Sequence, residues 1–342
     1  MANTFFKSFA ETDRTTSRTL LHEAIPITGS IVSGTYSANS NIKTFSHGMF
    51  KSVYDYPYLS SSANHLFDVS YGYSTGSSFY ATDHTQNSKK LNMYNQMAQI
   101  LAGFDTDNKV RIFDADGNYS TTGDKHEEAF IVSFSRLLVK DEIKKGSFSL
   151  TLGTGSAFAT PFASASIITD AGVLTTGHKI NSPAGEYGIL KDEASNNVGL
   201  IYYQAGVAIL SSSVLGAVAT TNLNSGGEKH EAIATGSTIE AMSDAFIHRL
   251  QNVSFNNTTE LNSAIYFCRA NHNEFNYSSN PTYLSGSKVL VKADDIMMPP
   301  RSYVTTVGLY SADNELLAVA KLSEPLRKDP TNELTLRVRL DY

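Results

Sequence analysis

Several short stretches carry residue types that could do chemistry, and each lacks a part that the chemistry needs. The stretch GVLTTGHK (172–179) has two glycines at phosphate-loop spacing. His178 stands where that loop needs lysine and Lys179 where it needs Ser or Thr, so the phosphate and Mg²⁺ contacts are missing. GTGSAF (153–158) lacks the third glycine of a dinucleotide loop and reads as a turn. DADGN begins like a calcium loop at Asp114, but Tyr119 occupies the position that needs glycine and Lys125 the one that needs a bidentate Glu. Asp124, His126, Glu127 and Glu128 form a ligand-rich run that never becomes His-Glu-x-x-His, and KHE at 229–231 has the same defect. No Gly-x-Ser-x-Gly elbow is present.

Single residues fare no better. Cys268 lies beside Phe267 in an apolar strand, which suits a buried, inert thiol. Asp244 and His248 stand four apart on one helix and read as a solvent-face ion pair. His272 and Glu274 share a polar loop without a third group to orient them. The sequence therefore nominates no catalytic, cofactor-binding or metal-ligating residue, and no cofactor.

The elements that would position any site are mostly strands. Of 342 residues, 41% are hydrophobic and only 18% charged, with the polar share carried by Ser, Thr and Asn. Those residues favour turns and strands over long helices, as do Tyr 18 and Phe 18 with Trp 0. The net charge of −6 and a pI near 5.8 give no basic footprint for nucleic acid. One cysteine excludes an intrachain disulfide framework. No apolar h-region follows Met1-Ala2-Asn3-Thr4-Phe5-Phe6-Lys7, and the most apolar stretch, Val198 to Leu210, is short, so neither a signal peptide nor membrane insertion is expected.

Along the chain, residues 1–85 read as an irregular, aromatic-rich N-terminal arm, either packed on its own domain or lying on a neighbour. Within it Val69, Tyr71 and Tyr73 alternate with Ser70, Gly72 and Ser74, as in a half-buried strand. Residues 86–236 read as a central β-rich domain with one helix at 88–104, whose stripe is Met93, Met97, Ile100, Leu101 and Phe104, with Gly103 as its stop. Phe130, Val132, Phe134 and Phe148, Leu150, Leu152 alternate as strands, and 186–210 reads as a hairpin with a polar tip. Residues 237–342 read as a helix at 238–250, capped by Ser237 with Glu240, followed by a β-meander. The fold expected is mainly β with a few helices: antiparallel sheets and hairpins, β-sandwich-like domains and an extended N-terminal region.

The meander is built from VGLYSADNELLAVAKLSEPL (307–326) and the closing strand 333–342. Asp313-Asn314 supplies a turn and Pro325 ends a strand. Leu334, Leu336, Val338, Leu340 and Tyr342 face one way, Thr335, Arg337, Arg339 and Asp341 the other. The hairpin Val307-Gly308-Leu309-Tyr310, Asp313-Asn314, Leu316-Leu317-Ala318-Val319-Ala320 resembles the hairpin of baseplate-attaching tail-fibre domains of contractile-tailed bacteriophages, departing from it by having no Gly in the turn. The resemblance implies a non-enzymatic structural component of the virion, placed in the tail at the baseplate and assembled in the host cytoplasm. It implies a homo-oligomer and other tail or baseplate proteins as partners. The alternatives are a receptor- or glycan-binding fibre, with Tyr277 and Tyr283 as sugar platforms, and a neck or head-completion protein. The expected interface residues are Tyr54, Tyr56, Tyr58, Leu336, Val338, Leu340 and Tyr342, the last strand pairing with a neighbour by strand addition.

Overall fold

The computed structural model describes residues 6–28, 40–120, 123–277 and 301–342, with a short strand pair at 284–285 and 288–289. Tyr283 lies outside the described residues. The chain divides into two compact units, Leu21–Thr259 and Met1–Leu20 with Glu260–Tyr342. The boundaries at 85 and 236 do not coincide with this division. Both cuts would separate strands that pair with each other, because the sheet is assembled from segments far apart in sequence.

The strands of three or more residues are β1 (Arg14–Thr28), β2 (Ile42–Thr44), β3 (Lys51–Tyr54), β4 (His65–Tyr73) and β5 (Glu128–Phe134). They continue with β6 (Ser149–Gly153), β7 (Ala165–Thr169), β8 (Tyr187–Lys191), β9 (Asn197–Tyr202) and β10 (Val207–Ser211). The last four are β11 (Leu250–Ala270), β12 (Ser302–Tyr310), β13 (Leu316–Lys328) and β14 (Leu334–Asp341). Three longer helices are α1 (Asn87–Leu101), α2 (His230–Gly236) and α3 (Ile239–Arg249). The protein is mainly β and antiparallel, as its composition and alternation indicate.

In the Leu21–Thr259 unit the sheet order is β11-β6-β7-β8-β9-β10-β5-β4-β3-β2. Region 1–85 is not an irregular arm: it holds β1 to β4, and β4 stands inside the sheet between β3 and β5. Alternation sorts the side chains into two cores. Phe67, Val69, Tyr71 and Tyr73 of β4 join Phe130, Val132 and Phe134 of β5 against Ile233 of α2 and Ile239, Met242 and Phe246 of α3. Ala129 and Ile131 point the other way, joining Tyr202, Val207 and Ile209 against Met93, Tyr94, Ala98 and Leu101 of α1. At these strands helices cover both faces of the sheet, where a sandwich would place a second sheet.

Gly72 explains how α1 gets so close to β4. A Cβ there would lie 2.6 Å from the Lys90 carbonyl oxygen and 2.8 Å from the Tyr94 nitrogen. The buried stripe of α1 is accordingly Lys90, Met93, Tyr94, Ala98 and Leu101, while Ile100 and Phe104, expected inside, are exposed. Gly103 does take the left-handed stop, with φ +80°. On α3 the cap is Thr238, which accepts from the Ala241 N–H at 3.3 Å, and not Ser237.

In the second unit β14 pairs with β11 from Ser263↔Asp341 to Ala270↔Leu334. The three-stranded meander of the sequence reading is therefore corrected: β12 and β13 form a two-stranded ribbon, and β14 belongs to β11. The partner follows from side chains. Ala264, Tyr266 and Cys268 oppose Leu340, Val338 and Leu336, so two apolar rows meet on one face.

Candidate interaction surface

The residues with chemical potential are scattered, and the structure gives most of them partners other than those their spacing suggests. Asp244 binds the Lys51 ammonium at 2.6 Å, while His248 Nε2 lies 2.9 Å from the Phe158 carbonyl. They do not pair with each other. Glu274 takes Lys7 at 2.5 Å, and His272 stands 3.4 Å from Glu333. Asp114 Oδ1 accepts from the N–H groups of Asp116 and Gly117, and its other oxygen takes Lys125, so the calcium-like stretch is a self-satisfied turn. No cluster of three His, Cys, Asp or Glu among the described residues could hold a metal ion. Cys268 is half-buried, not buried, and burial pushes its thiol up.

Among the described residues three cations are fully buried, and backbone carbonyls hold each of them. Lys90 Nζ donates to the carbonyls of Thr85, Ala234 and Ser237 at 2.6–2.8 Å, tying α1 to the end of α2. Burial pushes this ammonium down to about 8. Arg249 donates to Gly153, Gly155 and Asn222 carbonyls at 2.8–2.9 Å, which is the use the Gly-Thr-Gly turn finds. Lys328 holds Asn276 Oδ1 and the carbonyls of Asp329 and His272. None of the three follows from hydrophobic pattern, because each reads as a polar surface residue.

One polar chain does combine acid, base and hydroxyl. His178 Nε2 lies 3.2 Å from Glu186, whose other oxygen takes Lys145 at 2.5 Å. Lys145 stands over the Tyr203 ring, and the Tyr203 hydroxyl donates to Asp170 at 2.9 Å. Asp170 also accepts the Gly146 and Phe148 N–H groups, and burial raises its carboxyl above the ordinary range. Lys145 and His178 hold Glu186 below its ordinary value. Gly188 makes the arrangement possible, since a Cβ there would sit 2.1 Å from the Tyr203 oxygen. Every group in the chain is already spent on another, so the arrangement acts as a clamp between the 142–147 loop and β8.

The surface is more informative. Ser302–Lys328 folds as a ribbon whose tip, Ser311–Glu315, closes with the Ser311 N–H on the Glu315 carbonyl at 2.9 Å. Asn314 adopts φ +64°, a left-handed position that its short polar side chain tolerates. Gly308 faces Val319 across the ribbon, and its missing Cβ leaves room for the Tyr310 ring and Leu316. Leu317 is the extra residue at a register shift opposite Tyr310. Leu316, Leu317 and Val319 are 52%, 68% and 52% exposed, and Tyr310, opposite Leu316, is exposed beside them. Among the described residues β13 pairs with β12 alone.

The expected interface residues split. Tyr54 is half-buried, its ring 5.4 Å from His65, while Tyr56 and Tyr58 are exposed on the turn between β3 and β4. Val338 is buried within the chain, Leu336 and Leu340 are half-buried, and Tyr342 is 69% exposed although its backbone pairs with Asn262. One edge of the last strand is thus used internally. Tyr277 is exposed, and elsewhere in this unit an open depression of about 660 Å³ is lined by Phe9, Glu11, Arg14, Thr16 and Tyr266. Among the described residues no helix is long and apolar enough to cross a membrane. No known protein family, curated protein or solved structure matches the chain.

Proposed function

We propose that the chain is a non-enzymatic structural subunit of a contractile phage tail, at the baseplate, assembling through packed interfaces with other tail proteins. The observation that supports this reading is the Ser302–Lys328 ribbon. It presents Leu316, Leu317 and Val319 to solvent, and its two strands pair with no other strand among the described residues, while Phe6 packs edge-on against Tyr310 at 4.9 Å. Two-stranded ribbons are marginal alone and gain stability from a further strand or a packed face. Apolar patches of this kind mark contact surfaces. The hairpin also carries the residues of the phage resemblance, with Asn314 supplying the left-handed turn.

The test is to tag the chain in its native genome, purify particles and map cross-links by mass spectrometry. Cross-links from 303–321 to tail components are expected. Recovery of the chain only outside particles sinks the reading.

A second reading, glycan or receptor binding by a fibre, draws on the open depression. Phe9 and Tyr266 pack at 5.3 Å there, and the Arg14 guanidinium stands 6.0 Å from the Tyr266 ring centre. An aromatic platform beside Glu11 and Arg14 suits a sugar ring. Binding to a glycan array that Phe9→Ala abolishes would favour it; no binding dismisses it.

A further inference from the structure

The ribbon carries a stretch that is complementary to itself. Leu316-Leu317-Ala318-Val319-Ala320 is apolar throughout, with Glu315 before it and Lys321 after it. Laid antiparallel on a second copy about Ala318, Leu316 faces Ala320 and Leu317 faces Val319. Glu315 of each copy then faces Lys321 of the other. One two-fold axis gives two opposite-charge pairs and no like-charge pair, the arrangement that favours cross-strand contact. Sliding the register by one residue puts Lys321 opposite Leu316 and loses both pairs. Glu315 and Lys321 are exposed on this chain.

The backbone agrees. β13 has one edge on β12 and no strand on its other edge among the described residues. Further along, the register breaks between Val304 and Thr306 opposite Leu326 and Lys321, so Leu322–Pro325 bulges from the ribbon. Pro325 has no N–H to donate. The Leu322–Pro325 bulge and its proline close the edge on that side, so the open edge runs from the turn to Lys321, with the one-residue register shift at Leu317 inside it. Joining two ribbons there makes a four-stranded antiparallel sheet, beyond the three strands with an apolar face that independent stability requires.

We propose that a second copy of this chain docks along Leu316–Ala320, antiparallel, across a two-fold axis at Ala318. The proposal rests on the assembly reading above, to which it adds the identity of one partner. Sedimentation of the full chain over a dilution series should show a monomer–dimer equilibrium. Glu315→Lys and Lys321→Glu, each bringing like charges together twice, should each raise the dissociation constant about tenfold or more, equivalent to ~1.4 kcal/mol. The double swap Glu315→Lys with Lys321→Glu restores both pairs and should return the constant to within about threefold of wild type. Both side chains are exposed, Glu315 at the tip and Lys321 opposite Thr306 in the ribbon, so thermal melts of all three variants should match wild type. Independently, Ala318→Cys in a Cys268→Ser background should form an interchain disulfide, since facing residues of an antiparallel pair lie about 4.5–5.5 Å apart.

A wild type that stays monomeric, single swaps without effect, or a double swap without rescue each overturns the proposal. If the monomeric wild type still cross-links to tail components, only the self-pairing fails. If it dimerises as described but never enters a particle, only the assembly reading fails.

Discussion

Gly72 carries no side chain because the backbone of α1 occupies the space one would need. The contacts a Cβ would meet are main-chain atoms of Lys90 and Tyr94, which cannot rotate away. Gly72→Ala should therefore destabilise the Leu21–Thr259 unit by about 1–3 kcal/mol, as overpacking does, seen as a lower urea midpoint with an unchanged slope. Two histidines make a second residue-level prediction. His230 packs among Tyr71, Phe79 and Phe130, and His126 is buried beside Asp114 on the short strand pair 113–114 and 125–126. Burial pushes both imidazoles from 6.5 down to about 4. Between those values the unfolded chain binds protons that the folded chain does not, so stability rises with pH there. It should fall as pH drops from 6.5 towards 4, by at most about 3 kcal/mol for each ring. Urea midpoints across that range should show the loss, and His230→Phe should flatten the slope. A flat wild-type profile would mean the rings are not held neutral.

Pairing β14 with β11 makes the last strand an internal element before it is anything else. Removing Leu334–Tyr342 strips eight registered partners from Ser263–Ala270. β11 also pairs with β1, so hydrogen exchange on the truncated chain should show protection lost at those amides of 263–270 that face β14, while β4 and β5 keep theirs. Retained protection at those amides would show that β14 is not what holds them. The sequence displayed this strand's alternation plainly, yet not its partner. Neighbouring strands usually pair, so the local choice was β13. The actual partner lies about seventy residues upstream and is selected by the facing apolar rows. The buried face of α1 is hidden from the hydrophobic pattern for a related reason. Lys90 belongs to its buried face, and no hydrophobic pattern signals a lysine whose ammonium is held by three carbonyls. Spacing also favoured Asp244 with His248, whereas Lys51 from β3 reaches Asp244 first. By contrast, the alternation of β5 and β6 was legible, as was the 187–202 hairpin with its strands close in sequence, although 186–210 holds three strands and not one hairpin.

At the scale of the whole molecule, the question is whether the exposed ribbon serves the fold or a partner. The two roles predict different responses to one substitution. Leu317 is the most exposed of the ribbon's apolar residues and sits at a register shift, where it fills no core. Surface changes away from packed features stay within about 0.5 kcal/mol, so Leu317→Asp should leave the melting temperature nearly unchanged. A charged side chain buried at an interface core costs several times more, so the same variant should be depleted from purified particles relative to wild type in mixed expression. Leu309 provides the contrast: it is buried on the opposite face of the same strand pair, and Leu309→Ala should lower stability by about 2–5 kcal/mol whatever the ribbon's partners. Depletion of Leu317→Asp without loss of stability places the ribbon's purpose outside its own chain. Normal incorporation of that variant, together with a lowered melting temperature, would instead make the exposed leucine part of the fold and remove the observation on which the tail assignment leans.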